Sequence, residues 1–244
     1  MRWIVAFFLI IATIVLARAL LTFDPSRLPA EIKFASSDVF TLDPQRMSYM
    51  QDLRISRSLF DGLCSRDSQT GLPTPAVATS WETSPDAKTW TFHLRPDARW
   101  TNGDPVTSMD FRNAWRRLLL PDTAADYSEL LFPVRGASEF FAWRTNALAQ
   151  YAAGKNHDAQ SAKALWDSTL AAFDQMVGIR TPDSHTLVIE LQSPVPYWLD
   201  LCAFQTLAPI NQASLDRFTR IDPISGFLKS DPGWTKPGVL ITNG

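Results

Sequence analysis

The sequence predicts a mixed α/β fold of the α+β kind, and three observations predict it. Apolar residues alternate at period two in separate short runs: Ile32 and Phe34; Trp90, Phe92 and Leu94; Leu187, Ile189 and Leu191. Elsewhere they recur at helical spacing: Phe111, Trp115, Leu118 and Leu119, then Ala162, Leu165, Trp166, Leu170, Phe173 and Met176. The 244 residues are 45% hydrophobic and 20% charged, ordinary for a chain that buries a core, and their nine tryptophans and seventeen prolines suit a loop-rich protein with aromatic-filled joints better than a helical bundle.

Taken in order, the chain opens with an export segment. Arg2 precedes the uncharged run Trp3 to Ala17. As a helix that run reaches only about 22 Å, against roughly 30 Å of hydrocarbon. Ala17 and Ala19 place small residues where a signal peptidase reads them, so residues 1–19 read as a cleaved signal peptide. The rival is an uncleaved anchor, with Arg18 snorkelling and residues 3–17 associated with the membrane. Residues 20–31 read as a linker. Ile32 and Phe34 start a strand that Pro44 brings to an end. Leu53, Ile55, Leu59, Phe60 and Leu63 predict a helix over 49–63.

Trp90 to Leu94 predicts a strand with His93 facing solvent, and "TNGDP" a turn. A helix then begins with full start signals: Thr107 as N-cap, Asp110 at N3, and Val106 with Phe111 where a hydrophobic staple forms. The basic residues of "FRNAWRR" read as its solvated face. Helices are predicted over 137–153 and 158–176, a hairpin turning at "TPDSH", short helices in "SPVPYWLDLCAF" and "NQASLDRF", and a final strand in "PGVLITNG".

Several function classes lack support. The net charge of −2 argues against a nucleic-acid partner. His93, His157 and His185 are scattered, with no metal-ligand spacing among them. There is no G-x-S-x-G and no phosphate-binding G-x-x-x-x-G-K-[ST]. No residue is singled out as catalytic, and no metal or cofactor is expected. Cys64 and Cys202 read either as a pair for a disulfide in an exported protein or as two small buried side chains.

Four pieces together carry a resemblance: "TLDP" followed by a helix ending "LFDGL"; "PAVATSWETSPDAKTWTFHLRPDARWTNGDPVTSMDF"; "GIRTPDSHTLVIELQSPVPYW"; and "WTKPGVLITNG". In this order, over residues 32–244, they resemble the N-terminal part of the extracellular solute-binding proteins of family 5, the peptide, nickel and oligosaccharide receptors of ABC importers. The resemblance implies a periplasmic-binding-protein-like type II fold with two lobes around a cleft, of which this sequence holds the first and lacks the second. The first lobe would comprise residues 32–62 and 176–244, with 63–175 as an inserted small domain.

What the resemblance implies about function follows from the cleft. Peptide or another small solute would be captured outside the cytoplasmic membrane and handed to the permease subunits. Ser37, Asp38, Val39 and Phe40 would meet ligand, with backbone groups of Asp38 and Phe40 pairing with its main chain. On the other reading Phe40 is core and Asp38 caps a turn. Tyr197 and Trp198 are either cleft aromatics or packing residues. The protein would be periplasmic or anchored on the outer face of the cytoplasmic membrane. The alternative function is a membrane-anchored half-receptor that serves as an interaction module without binding ligand.

Overall fold

Alternating apolar side chains build the central sheet. The computed structural model describes Arg18 and residues 38–244; the export segment, the linker, the strand expected at Ile32 and Phe34, and Ser37 lie outside the described residues. Four strands, β3 (Ala78–Thr83), β4 (Thr89–Leu94), β5 (Ile179–Asp183) and β6 (Thr186–Glu190), form an antiparallel sheet in the order β3-β4-β6-β5. Two ribbons accompany it: β1 (Cys64–Arg66) with β2 (Pro73–Pro75), and β7 (Thr219–Ile221) with β8 (Leu228–Ser230).

In the sheet Phe92 lies opposite Leu187 and Trp90 opposite Ile189. Phe92, Leu94, Leu187 and Ile189 are buried, while Thr91, His93 and Val188 are partly exposed, so one face is core. The register of β5 slips between Arg180 and Asp183, the stretch that holds Pro182; a residue without an N–H is tolerated there because β5 is an edge strand.

The division expected between 63–175 and 176–244 runs through this sheet, because β4 and β6 pair along their length.

Six α-helices are described: α1 (Met50–Ser56), α2 (Ser108–Leu118), α3 (Ala137–Ala153), α4 (Ala159–Met176), α5 (Trp198–Cys202) and α6 (Gln212–Asp216). The helix expected over 49–63 is only α1. Its apolar continuation is diverted by tertiary pairing: the Gly62 carbonyl accepts from Val77 N, and the Leu63 carbonyl from Ala78 N (3.0 Å). Phe60 and Leu63 are still buried, as the pattern required. The final strand expected in "PGVLITNG" is also absent. Residues 232–235 form a 3-10 turn, and the last residues attach singly, with Thr101 N donating to Thr242 O (2.7 Å) and Gly244 N to Leu59 O (3.1 Å).

α2 starts as its signals predict. The Asp110 carboxylate accepts from Thr107 N at 2.7 Å, and Val106 and Phe111 are both buried. Its first turn is pinned to the β5–β6 hairpin by Ser108, whose N donates to Ser184 O (2.9 Å) and whose hydroxyl donates to Asp183 O (2.5 Å). Its apolar face, Phe111, Ala114, Trp115 and Leu118, is fully buried. The Trp115 indole donates to Leu207 O (2.8 Å) and meets the Trp198 ring edge-on at 6.1 Å.

α3 and α4 pack side by side through Phe140 and Phe173, whose rings stand 5.3 Å apart. Gly136 makes the entry to α3 possible. Its φ is +73°, and a β-carbon there would lie 1.9 Å from Met176 O, at the end of α4. A backbone carbonyl held by a helix end cannot step aside. Gly136→Ala is therefore expected to destabilise the fold by about 2–4 kcal/mol, combining left-handed strain with overpacking, read as a lowered urea midpoint at unchanged slope.

Candidate functional site

The site is built outward from a buried charge. Asp43 starts a 3-10 turn (Pro44–Arg46), its Oδ1 accepting from Gln45 N at 3.2 Å. The same carboxylate meets the Arg117 guanidinium at both oxygens, 2.7 Å and 2.5 Å, with both side chains almost fully buried. Arg117 also donates to Gln45 Oε1 (3.0 Å), and Gln45 Nε2 donates to Ala208 O (3.1 Å). So the turn, α2 and the segment before α6 are locked together by one bidentate pair, a geometry that a lysine could not supply.

This corrects the reading of "FRNAWRR" as a solvated face. Arg117 is 6% exposed, and Arg112 pairs with Asp174 of α4. Burial holds the Arg116 side chain below the usual guanidinium range, with Arg112 adding repulsion.

The chain segment before the turn is the candidate ligand edge. Asp38, Val39 and Phe40 are exposed, Phe40 by 68%. Phe40 is therefore not core. Its ring stacks on Tyr49 at 4.5 Å, and Tyr49 is itself 54% exposed. Phe40 N donates to Asp52 Oδ1 (3.0 Å), so that N–H, expected to pair with ligand, is already committed inside the protein. Asp52 is fully buried in α1, and the bond fixes the edge to that helix. Among the described residues Val39 N and O and the Phe40 carbonyl have no partner. The main-chain groups of Asp38, Thr41 and Leu42 likewise have no partner among the described residues.

Two adjoining cavities lie against this edge. One, of about 360 Å3, is lined by Phe40, Arg46, Tyr49, Ala124, Asp126 and Pro232 among others. The other, of about 400 Å3, shares Arg46, Ala124 and Pro232 and continues past Asp122 to Arg220 and Lys229. The groove thus has an aromatic end and a cationic end. Lys229 is paired with Asp222, which pulls that carboxyl down to about 2, whereas Arg46 and Arg220 make no ion pair among the described residues.

The wall is held by a second buried pair, Arg144 with Asp122, at 3.0 Å and 2.6 Å. Arg144 also donates to Gly226 O (2.9 Å), and Leu228 N donates to Asp122 Oδ1 (2.7 Å), tying α3 to the β7–β8 ribbon.

Of the expected site residues, Phe40 lines the first cavity, and Asp38 and Val39 are exposed just before it but line neither cavity. Ser37 lies outside the described residues. Tyr197 is exposed but lines neither cavity. Trp198 is fully buried against Trp115, which removes its ring from any cleft. Sequence reasoning missed Tyr49 and Arg46. A signal was there: Tyr49 and Met50 are apolar residues at the start of α1 that fall off its buried stripe, and both are exposed. Among the described residues no group of three or more potential metal ligands occurs, and no helix is long and apolar enough to cross a membrane.

Residues 73–244 match the family described as bacterial extracellular solute-binding proteins, family 5 Middle. The chain belongs to that family. It is 34% identical over 210 residues to the periplasmic oligopeptide-binding protein OppA of Escherichia coli, covering 85% of this chain and 31% of the relative. It is 33% identical over 213 residues to the periplasmic murein peptide-binding protein MppA of the same organism, covering 87% and 32%.

Among solved structures, Haemophilus influenzae OppA in complex with RPPGFSPFR superposes with a TM-score of 0.64 at 32% identity, covering 84% of this chain and 32% of that one. This family 5 chain thus has the mixed α/β fold of part of a type II periplasmic binding protein, and it spans about a third of the length of the relatives it matches.

Breaking the Asp43–Arg117 pair isolates one buried charge. Arg117→Met is expected to cost about 3–5 kcal/mol, and adding Asp43→Asn is expected to recover most of it, since the uncompensated carboxylate is what is expensive. Denaturant midpoints of the two variants of the full chain check this.

Proposed function

We propose that the chain captures peptides outside the cytoplasmic membrane, as the substrate-binding component of an ABC importer, and passes them to the permease subunits. Ligand would lie along Asp38–Phe40, with its backbone paired to Val39 N and O and the Phe40 carbonyl. The observation that carries this reading is the exposed edge itself: main-chain groups without a partner among the described residues, beside a stacked Phe40–Tyr49 pair at the mouth of a groove. Exposed apolar side chains gathered at one place mark a contact surface, and unpaired strand-like backbone suits an extended peptide.

Kinship supports the same reading, since relatives that match most of this chain are peptide-binding proteins of the periplasm. Recognition through backbone groups would be shared by many peptide sequences and needs no catalytic step. Export would be directed by residues 1–19, with residues 3–17 as the membrane contact if that segment is retained. Asp38, Val39 and Phe40 are the ligand-binding residues of this proposal.

Titration calorimetry of the full chain against a pool of tri- to pentapeptides tests it. Saturable heat is expected, and Phe40→Ala together with Tyr49→Ala is expected to weaken affinity by about tenfold or more. An absence of saturable heat from a chain with a cooperative unfolding transition would point to the interaction-module alternative instead.

A further inference from the structure

Cys64 and Cys202 are far apart in sequence and meet in the fold. Cys64 opens β1, and Cys202 closes α5. Both are free thiols in this structure and both are buried, at 2% and 0% exposure. Gly62 locates them relative to one another. A β-carbon on Gly62, two residues before Cys64, would stand 3.1 Å from Cys202 O, so the Cys202 backbone closes in on the start of β1.

An ion pair beside them holds the same two elements together. Arg66, two residues after Cys64 and hence on the same face of β1, reaches Asp200, two residues before Cys202, at 2.8 Å. No other cysteine exists in the chain.

We propose that Cys64 and Cys202 form a disulfide that staples β1 to α5. The bond requires α-carbons within about 4.4–6.8 Å, and the two elements that carry the cysteines pack directly on one another. In the step, one thiolate attacks the sulfur of a small-molecule or protein disulfide, such as oxidised glutathione, giving a mixed disulfide and releasing one thiol. The second cysteine then attacks, releasing the second thiol. Two S–H bonds and one external S–S bond are lost, one internal S–S bond and two external S–H bonds are gained, and the oxidant takes up two electrons and two protons.

Timing follows from burial. Desolvation pushes the Cys64 thiol up to about 12, and Cys202 well above its usual range with Cys64 adding to it. The closed fold therefore holds poor nucleophiles, and the bond closes while the chain is still folding. The inference does not depend on peptide binding.

The test refolds the reduced full chain in a glutathione redox buffer, quenches with acid, and alkylates under denaturing, non-reducing conditions. The expected product is a monomer about two daltons lighter than the reduced chain, without alkylation. Trypsin should link the peptide ending at Arg66 to the peptide ending at Arg217. Reduction should lower the melting temperature by roughly 5–15 °C in this protein and not in Cys64→Ala. Two alkylated thiols at every glutathione ratio, or a disulfide-linked dimer in place of the internal bond, overturns the proposal. The mass measurement on the unaltered chain decides the matter alone if the variant does not fold.

Discussion

The bidentate pair between Asp43 and Arg117 is the constraint on which the groove depends. Asp43 sits three residues after Phe40, and Arg117 lies in the last turn of α2, whose other face is the aromatic core. Removing two charges from water is costly, and their attraction offsets that cost only when the remaining hydrogen-bonding capacity is met. Here Gln45 meets it: its carbonyl accepts from Arg117 while its amide donates to Ala208 O. Such a network adds little to net stability compared with an apolar substitute, but it tolerates few alternative arrangements. It fixes where the Asp38–Phe40 edge leaves the core, to within the reach of three short bonds.

The second pair repeats the logic a few residues on, and Asp122 lines the same cavity as Arg117. Asp122 follows α2 directly, so the helix that ends in Arg117 also delivers the partner of Arg144. Asp122 and Arg144 are almost completely inaccessible to water, and Thr169, Gly226 and Leu228 satisfy them further. The result is a groove whose two sides are each referred to the same helix. Ala124, with φ +50°, lies between them and lines both cavities. It is the left-handed cap of the 3-10 turn Pro121–Thr123, its N–H donating to Pro121 O.

How much of this could be read from the sequence divides along physical lines. Elements with strong periodicity and local caps were legible: α2 with its Thr107–Asp110 start, α3 over 137–153, α4 behind Asp158, and the β5–β6 hairpin. What local pattern could not reveal was competition from distant backbone. The carbonyls of Gly62 and Leu63 bond to residues 77 and 78, and so the helix that Leu59 and Phe60 promised stops at Ser56. The terminal "PGVLITNG" has strand composition but finds only single partners. Charge was least legible. Arg117 looks like any surface arginine of an amphipathic helix until Asp43 is brought to it from far along the chain. At the site, Phe40 lines the groove and Asp38 and Val39 precede it as exposed residues of the same segment, while Tyr49 was missed because stacking across a turn leaves no period.

That stacking bears on how the edge can recognise anything. An exposed phenylalanine on a free loop would collapse onto the surface or lose entropy whenever it made a contact. Phe40 does neither, because one face of its ring lies on Tyr49 and its N–H is held by Asp52. The residue is nonetheless 68% exposed. A partner that lies along Val39 and Phe40 therefore meets main-chain groups whose direction is set by α1 and by the Asp43 turn, not by the partner. If peptide is the partner, as proposed, discrimination between side chains would be weak at such an edge, since every peptide offers the same backbone donors and acceptors. Selectivity would then come from further along the groove, where the aromatic end gives way to Arg46 and Arg220 and the chemistry changes from ring face to positive charge.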